Sequence, residues 1–237
     1  QEGASVTISA RTEADLRRTE IELARIGSQH HVLAIPADLS VARDIRRVVR
    51  DTFNRFGHIG ILVTHVRYGP TGKPSEFTDE TVMASLEESF LSALRLTREV
   101  VPYMKQQRWG RIIHLLPTRV NNPAEGAALS AASQMALVGY SKMLASELAP
   151  FNITVNNLLS GPVQTEFLTA ALETKAEEQG RTLDDLTKDI VADIPMRRMG
   201  KPEEVGDLVA FLASDRSGYL TGTSVILDGG AHQMASS

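Results

Sequence analysis

Cysteine is absent from this sequence of 237 residues. Without cysteine the chain has no disulfide framework, no thiol nucleophile and no metal site built on thiolates. Long hydrophobic runs are absent too: the sequence has no stretch of about 18 apolar residues and no segment with the pattern of a signal peptide. We therefore expect a cytoplasmic protein that does not associate with a membrane.

Concentrated positive charge is also missing. The formal net charge is −4, and lysine and arginine form no continuous basic run. Nucleic acids and anionic membrane surfaces attract concentrated positive charge, so the sequence predicts neither as a partner. The composition, 42% hydrophobic and 23% charged, is typical of one folded domain with a sizeable core. We expect residues 1–237 to form that single domain.

Short apolar segments alternate with longer amphipathic segments along the chain. The short segments predict strands near residues 5–9, 32–36, 60–65, 111–115, 153–158 and 223–227. The longer segments predict helices over 12–26, 41–56, 78–104 and 127–148. Strands that alternate with helices are typical of a doubly wound α/β fold with a mostly parallel sheet.

The stretch 110–150 organises the rest of the chain. It has the pattern of a strand, a polar loop that contains proline, and a long helix of small residues. Together with PMRRMGKPEEV at 195–205, YLTG at 219–222 and LDGG at 227–230, this stretch resembles the short-chain dehydrogenase/reductase family. The resemblance is to its members that reduce 3-oxoacyl groups on acyl carrier protein.

That resemblance implies a Rossmann-like parallel sheet and an oxidoreductase that moves hydride between NAD(P)(H) and a carbonyl or alcohol. In the family, a tyrosine and a lysine four residues later share one helix face, where the lysine lowers the tyrosine pKa. The tyrosine passes a proton to or from the substrate oxygen, a serine orients that oxygen, and an asparagine helps to hold a relay water. The hydride itself comes from the nicotinamide.

The sequence keeps the frame of this catalytic tetrad but replaces its members. Ser89 stands at the asparagine position, Pro117 at the serine position, Ser130 at the tyrosine position and Gln134 at the lysine position. We expect Ser130 and Gln134 one turn apart at the mouth of a pocket, with Pro117 facing them. Because a serine without a neighbouring lysine is a very weak acid at pH 7, the sequence predicts loss of the standard chemistry.

The family's first strand and its turn Gly-x-x-x-Gly-x-Gly, which approaches the cofactor pyrophosphate, have no counterpart in the sequence. Two interpretations remain open. Either the sequence in hand begins after those elements, or the product lacks its central strand, which would leave a gap in the sheet. Both predict weak or absent NAD(P)(H) binding by this chain as written.

Several positions match cofactor-binding positions of the family. Arg11 resembles a basic residue that pairs with the 2′-phosphate of NADP(H), although a solvated arginine near a helix start fits equally well. Asp38, followed by Leu39, matches an aspartate that binds the adenine, and a helix N-cap is the alternative. Thr165 matches a threonine that touches the nicotinamide carboxamide, and it too suits a helix N-cap.

His65 and Arg67 lie in the segment where the family has Asn-Asn-Ala-Gly. His65 is a candidate for proton transfer, with a structural histidine as the alternative. Arg67 replaces a glycine beside the cofactor ribose, where it would either block the adenosine site or pair with a phosphate. The charged helical segment at about 166–195 resembles the substrate lid, and no residue spacing predicts a metal site.

The sequence favours a family member without standard reductase chemistry, either non-catalytic or dependent on a partner subunit. In the family, the helices at 78–104 and 127–148 pack across two-fold axes, so we expect a homo- or hetero-oligomer through them. An atypical NADP(H)-dependent oxidoreductase that acts on a carbonyl or alcohol is one alternative. A non-redox lyase or dehydratase, which reuses the pocket for a small-molecule ligand, is the other.

Overall fold

The structure is a computed structural model that describes residues 2–27, 31–66, 69–120, 123 and 126–231. Its strands are short and rich in Val, Ile and Leu, as buried parallel strands usually are. The strands of this part of the chain are β1 (Val6–Ala10), β2 (Val32–Pro36), β3 (Ile61–His65), β4 (Gly110–Pro117), β5 (Ile153–Ser160) and β6 (Ser224–Leu227).

Helices form where the apolar residues are spaced further apart along the sequence than they are in the strands. They are α1 (Glu13–Ile26), α2 (Ala42–Phe56), α3 (Asp79–Leu86), α4 (Ser92–Gln107), α5 (Ala128–Leu148), α6 (Glu166–Gln179), α7 (Leu183–Ala192) and α8 (Pro202–Ala213). One π-helical turn, Glu87–Leu91, joins α3 to α4. The segment 78–104, which the sequence predicts as one helix, therefore has a widened turn at its centre.

The strands form two separate parallel sheets. β1 pairs with β2, and the other sheet has the order β3-β4-β5-β6. The mostly parallel, doubly wound arrangement is confirmed. No hydrogen bond of the described residues joins β1 to β3, so the sheet has a gap at the position where a central strand was predicted to be missing.

The helices lie in two layers. Side chains of α2, α4 and α5 share one buried cluster with Leu62 of β3 and Ile112 of β4, so these helices cover the same face. On the opposite face, Ile113 of β4 packs against Leu212 of α8. α2 packs against β2 on the first face. α1 contacts β1 and β2 and lies on the second face.

Contacts between α2 and α4 hold the two sheets side by side. The rings of Phe53 and Tyr103 stack with their centroids 4.6 Å apart. On the strand side of α2, the Thr52 hydroxyl donates to Thr7 of β1 at 3.0 Å. One layer of helices therefore spans the gap and positions β1 relative to β3.

The predicted lid at 166–195 contains α6 and α7. These two helices pack on one another through Leu172, Ala176 and Leu186. Thr182 begins α7 with a capping box to Asp185, which fixes where that helix starts. Among the described helices, none is both long enough and apolar enough to cross a membrane.

Candidate active site

The strand order places a candidate site at the carboxyl ends of the strands. β1 and β2 extend to one side of the gap and β3 to β6 extend to the other, so the chain order reverses at the gap. In doubly wound folds, ligands bind outside the carboxyl ends of the strands at such a reversal. The predicted catalytic positions lie at the ends of β3 and β4 and at the start of α5.

Ser130 and Gln134 lie one turn apart in the first half of α5, as their spacing predicts. Their side chains are buried, however, with only 5% and 1% of their surface exposed. The expectation that they face the mouth of a pocket was therefore wrong. The reason is a close contact with the loop after β3, in which the backbone N–H of Gly69 donates to Ser130 Oγ at 2.7 Å.

Glycine at position 69 makes this contact possible. A Cβ atom added there would lie 2.6 Å from Ser85 Oγ and 3.4 Å from Ser130 Oγ. A second contact follows a few residues later, where Gly72 N–H donates to the Gly126 carbonyl at 3.1 Å. The loop after β3 therefore lies directly on the start of α5 and covers the tyrosine position.

Further hydroxyl groups bring α3 into contact with α5 next to this loop. Ser85 Oγ and Ser133 Oγ are 3.1 Å apart, and the Ser133 hydroxyl also donates to the Leu129 carbonyl. We call the buried set of Ser85, Ser130 and Ser133, with Gly69 above it, the serine seam. Ser85 and Ser133 were not predicted as site residues, although their spacing of three to four residues from Ser89 and Ser130 was the available signal.

Ser89 occupies the π-helical turn and is 1% exposed. Single π turns inside α-helices are frequent at functional sites, and this one coincides with the family's asparagine position. Ser92, one turn later, donates to the Glu88 carbonyl at 2.7 Å. The turn therefore positions a hydroxyl group where the family has an amide.

Two uncharged polar side chains, Gln134 of α5 and His114 of β4, are buried. The amide Nε2 of Gln134 is buried and has no hydrogen-bond partner in the described residues. His114 in β4 is fully buried, its Nδ1 lies 2.7 Å from Thr64 Oγ1, and desolvation lowers its pKa to about 4. His114 is therefore neutral near pH 7.

Pro117 and His65 end neighbouring strands but offer little to this site. Pro117 pairs in register with Ser160, is half-buried, and has neither a hydroxyl group nor a backbone N–H. His65 is exposed, and partial desolvation lowers its pKa. Because Thr64 faces the α5 layer, His65 points to the opposite face of the sheet. Arg67 lies outside the described residues.

The predicted cofactor residues are separated along the strand ends. Arg11 follows β1 directly, is exposed, and makes no side-chain hydrogen bond or ion pair with the described residues. Asp38 Oδ1 accepts hydrogen bonds from the backbone and the hydroxyl of Ser40, at 2.9 and 2.7 Å, in the turn before α2. Leu39 is half-buried and packs against the buried cluster shared by α2, α4 and α5.

Thr165 is the N-cap of α6, since its hydroxyl accepts from the Leu168 N–H at 3.2 Å. The N-cap reading of this threonine is therefore correct. Asp38 differs, because Val41 is the N-cap of α2 and gives no side-chain cap, while the aspartate stabilises the preceding turn.

Two cavities lie near the lid. One, of about 100 Å³, is lined by residues of both α6 and α7. The other, of about 80 Å³, is next to the ends of β5 and β6, where Arg198 forms two hydrogen bonds to Glu204 at 2.6 and 2.7 Å. These bonds lower the pKa of Glu204 to about 2. In the described part of the chain, no group of three His, Asp or Glu side chains could hold a metal ion.

Known proteins match this arrangement over nearly the whole chain. A family model described as enoyl-(acyl carrier protein) reductase matches residues 1–232. Dehydrogenase/reductase SDR family member 4 from Oryctolagus cuniculus is 34% identical over 232 residues, which cover 98% of this chain and 85% of that protein. The chain belongs to the short-chain dehydrogenase/reductase family. Members of this family are oxidoreductases.

Other relatives and solved structures agree with this assignment. Acetoacetyl-CoA reductase from Allochromatium vinosum is 29% identical, over 97% of this chain and 89% of that protein. L-sorbose reductase from Gluconobacter frateurii, solved with NADPH and L-sorbose, has a TM-score of 0.92 at 26% identity. That likeness covers 98% of this chain and 88% of the reductase. A variant actinorhodin polyketide ketoreductase with NADPH gives a TM-score of 0.89 at 28% identity.

The family assignment bears on how the serine seam is interpreted. This short-chain dehydrogenase/reductase chain keeps the strand, loop and helix that carry the tetrad. At the positions predicted to match the tetrad stand Ser89, Pro117, Ser130 and Gln134.

Proposed function

We propose that this chain has lost the family's standard carbonyl-reductase chemistry and acts as a non-catalytic or partner-dependent subunit. The burial of Ser130 carries the proposal. Its hydroxyl takes the place of the proton-donating tyrosine, is buried, and already accepts a hydrogen bond from Gly69. A substrate oxygen could reach this hydroxyl only by displacing the loop after β3.

The chemistry of the replaced groups supports the same proposal. An alkoxide formed by hydride transfer needs a proton, and a serine hydroxyl without a neighbouring cation is a very weak acid. Gln134, one turn away, carries no charge, and Pro117 has no N–H with which to polarise a carbonyl. His65 could titrate, but its side chain lies on the other face of the sheet.

The exposed side of α5 suggests how a non-catalytic subunit would act. Ala132, Met135, Gly139 and Met143 are exposed and fall three to four residues apart, so they form one apolar stripe along the helix. A Cβ atom added at Gly139 would touch nothing within 4 Å, which leaves room for a second helix to approach closely. We propose that α5, with α4 beside it, is the oligomer interface.

Substitutions on the α5 stripe test this interface. We expect Met143→Lys combined with Gly139→Lys to convert an oligomer into a monomer in light scattering, because two ammonium groups would be buried against the partner. Phe167→Lys is the matched control, since Phe167 is 80% exposed on α6. A mass that is the same for all three proteins would contradict the interface.

A second candidate function is an atypical NADP(H)-dependent oxidoreductase. It is favoured by Arg11, which is exposed at the carboxyl end of β1 and makes no ion pair with the described residues, as a 2′-phosphate partner would require. The lyase or dehydratase alternative has less support, because the hydroxyl groups of the serine seam are buried and bonded to one another.

An assay of carbonyl reduction separates the first two functions. Ketones and acyl thioesters would be offered with NADPH to the unmodified chain and to Ser130→Ala, while NADPH binding is followed by fluorescence. The proposal expects no turnover above the uncatalysed rate by either protein. Steady turnover by the unmodified chain would support the atypical oxidoreductase, and turnover unchanged in Ser130→Ala would place its proton donor elsewhere.

A further inference from the structure

A row of polar side chains crosses the sheet on the face that α2, α4 and α5 cover. In β4, His114 lies between Ile112 and Leu116, which belong to two separate buried apolar clusters. Thr64 of β3 pairs in register with His114 on one side, and Asn157 of β5 pairs with it on the other. Side chains in register on parallel strands point to the same face. The three buried polar side chains therefore lie next to one another, between the two apolar clusters.

Helix α4 adds a fourth polar side chain at the same level. Ala93, one turn before Thr97, belongs to the cluster that contains Leu116, and Val100 belongs to the cluster that contains Ile112. Thr97 itself is fully buried, so its side chain faces the interior between these two clusters. We call this set the polar layer, and its members are Thr64, Thr97, His114 and Asn157.

Three atoms of the polar layer are buried and have no hydrogen-bond partner among the residues that the structure describes. They are Thr97 Oγ1, His114 Nε2 and Asn157 Oδ1. The second polar atom of each ring or amide is paired, since His114 Nδ1 lies 2.7 Å from Thr64 Oγ1 and Asn157 Nδ2 donates to Ser224 Oγ at 3.3 Å. An unpaired polar atom in a core loses its contact with water and gains nothing in return. Most buried polar atoms therefore bond to the protein or to an ordered water molecule.

We propose that the polar layer is a binding site for one internal water molecule, which hydrogen-bonds to Thr97, His114 and Asn157. About three partners is the usual number for a buried water. Asn157 Oδ1 can only accept, so the water donates to it. The Thr97 hydroxyl and the His114 ring nitrogen can each act as donor or acceptor, so together they complete the bonding of the water.

The charge of the polar layer favours water over an ion. Its threonine and asparagine side chains carry no charge, and burial lowers the pKa of His114 to about 4, so the histidine is neutral near pH 7 as well. A buried ion would have no opposite charge to pair with in this layer, whereas a neutral molecule with both donors and acceptors needs none. The entropy lost by one immobilised water is small compared with the cost of three unpaired atoms.

Nuclear magnetic resonance of the unmodified chain tests the site directly. We expect nuclear Overhauser cross-peaks from water to both the side-chain amide of Asn157 and the methyl group of Thr97, with the sign that a long-lived bound water gives. Magnetic relaxation dispersion of the solvent counts long-lived waters. Thr97→Val removes the hydroxyl and keeps the shape of the side chain, so it should abolish both cross-peaks and lower that count by about one water per protein.

Thr154→Val is the matched control. Thr154 of β5 is also buried, and its Oγ1 also lacks a partner among the described residues, but it is three residues from Asn157 and so points to the opposite face of the sheet. This variant should leave both cross-peaks in place.

Asn157→Leu, which replaces the acceptor by an apolar group of similar size, should remove the bound water as Thr97→Val does. Three results would overturn the proposal. One is the absence of either cross-peak in the unmodified chain, a result that does not depend on whether any variant folds. Another is a count of long-lived waters that is the same in Thr97→Val and in the unmodified chain. The third is loss of the cross-peaks in Thr154→Val to the same extent as in Thr97→Val.

Discussion

The serine seam and the gap between β1 and β3 differ in how completely the side chains around them are packed. In the seam, Ser130 accepts from Gly69, Ser85 contacts Ser133, and all of these hydroxyl groups are buried. At the edge of the gap, by contrast, Ile61 and Val63 of β3 are exposed. The comparison contrasts a region whose polar groups are paired inside a packed structure with a sheet edge whose apolar side chains are uncovered.

The largest contrast is expected from substitutions of apolar side chains in the two regions. Leu137 of α5 is fully buried in the cluster beside the seam, so Leu137→Ala should cost about 2–5 kcal/mol of unfolding free energy. Val63→Ala at the edge of the gap should cost less than about 1 kcal/mol of unfolding free energy, because that side chain is already partly exposed. Urea unfolding measures both, and equal costs would show that the edge of β3 is packed.

The two histidines offer a contrast in pH dependence. The pKa of His114 falls from 6.5 to about 4 on folding, so the unfolded state binds more protons between those values. Stability should therefore be full above about pH 6.5 and fall by roughly 3 kcal/mol as the pH approaches 4. His114→Asn should remove most of this loss, while His65→Asn at the exposed strand end should remove little. The measurement is urea unfolding across pH 4–7.

Gly69→Ala should open the serine seam. Its added Cβ would lie 2.6 Å from Ser85 Oγ, so the substitution should cost about 1–3 kcal/mol. Gly206→Ala is the control on α8, where the added Cβ meets nothing within 4 Å. That substitution should stabilise the helix by about 0.5–1 kcal/mol. If thermal unfolding shows that both substitutions stabilise the protein, or that both destabilise it, the loop after β3 does not lie on the seam.

The smallest effect concerns the Ser130 hydroxyl itself. Ser130→Ala should cost about 1 kcal/mol, because the N–H of Gly69 loses its acceptor in a buried place. Ser146→Ala, at an exposed position of the same helix, should change the unfolding free energy by less than about 0.5 kcal/mol. If Ser130→Ala lowers the unfolding free energy by less than Ser146→Ala does, the hydrogen bond from Gly69 contributes nothing to stability.

The sequence predicted the strands well because alternating apolar segments specify them locally. Predicted and observed bounds differ by at most two residues, for example 153–158 against Ile153–Ser160. The parallel sheet followed from the same alternation, whereas the family followed from the motifs at 110–150, 195–205, 219–222 and 227–230, and the gap was one of two interpretations of that resemblance. The π turn at Ser89 did not, because the widened turn leaves no mark in the hydrophobic period.

The closure of the seam also could not be predicted from the sequence. Gly69 and Ser130 are 61 residues apart, and their contact depends on a glycine fitting against Ser85 in the folded structure. Spacing placed Ser130 and Gln134 correctly on one helix face. Spacing alone does not report whether a loop covers that face, which is why the two side chains were expected to be accessible.

The central claim is that the chemistry of this site is lost through its side chains and not only through the missing cofactor turn. The direct test is NADPH oxidation with a ketone by the chain extended with a strand, a Gly-rich turn and a helix. The extended chain would be compared with the same protein carrying Ser89→Asn, Pro117→Ser, Ser130→Tyr and Gln134→Lys. Only the substituted protein should turn over, at least about 10²-fold above the other. Equal turnover by the two proteins, with NADPH bound to both, would contradict the account.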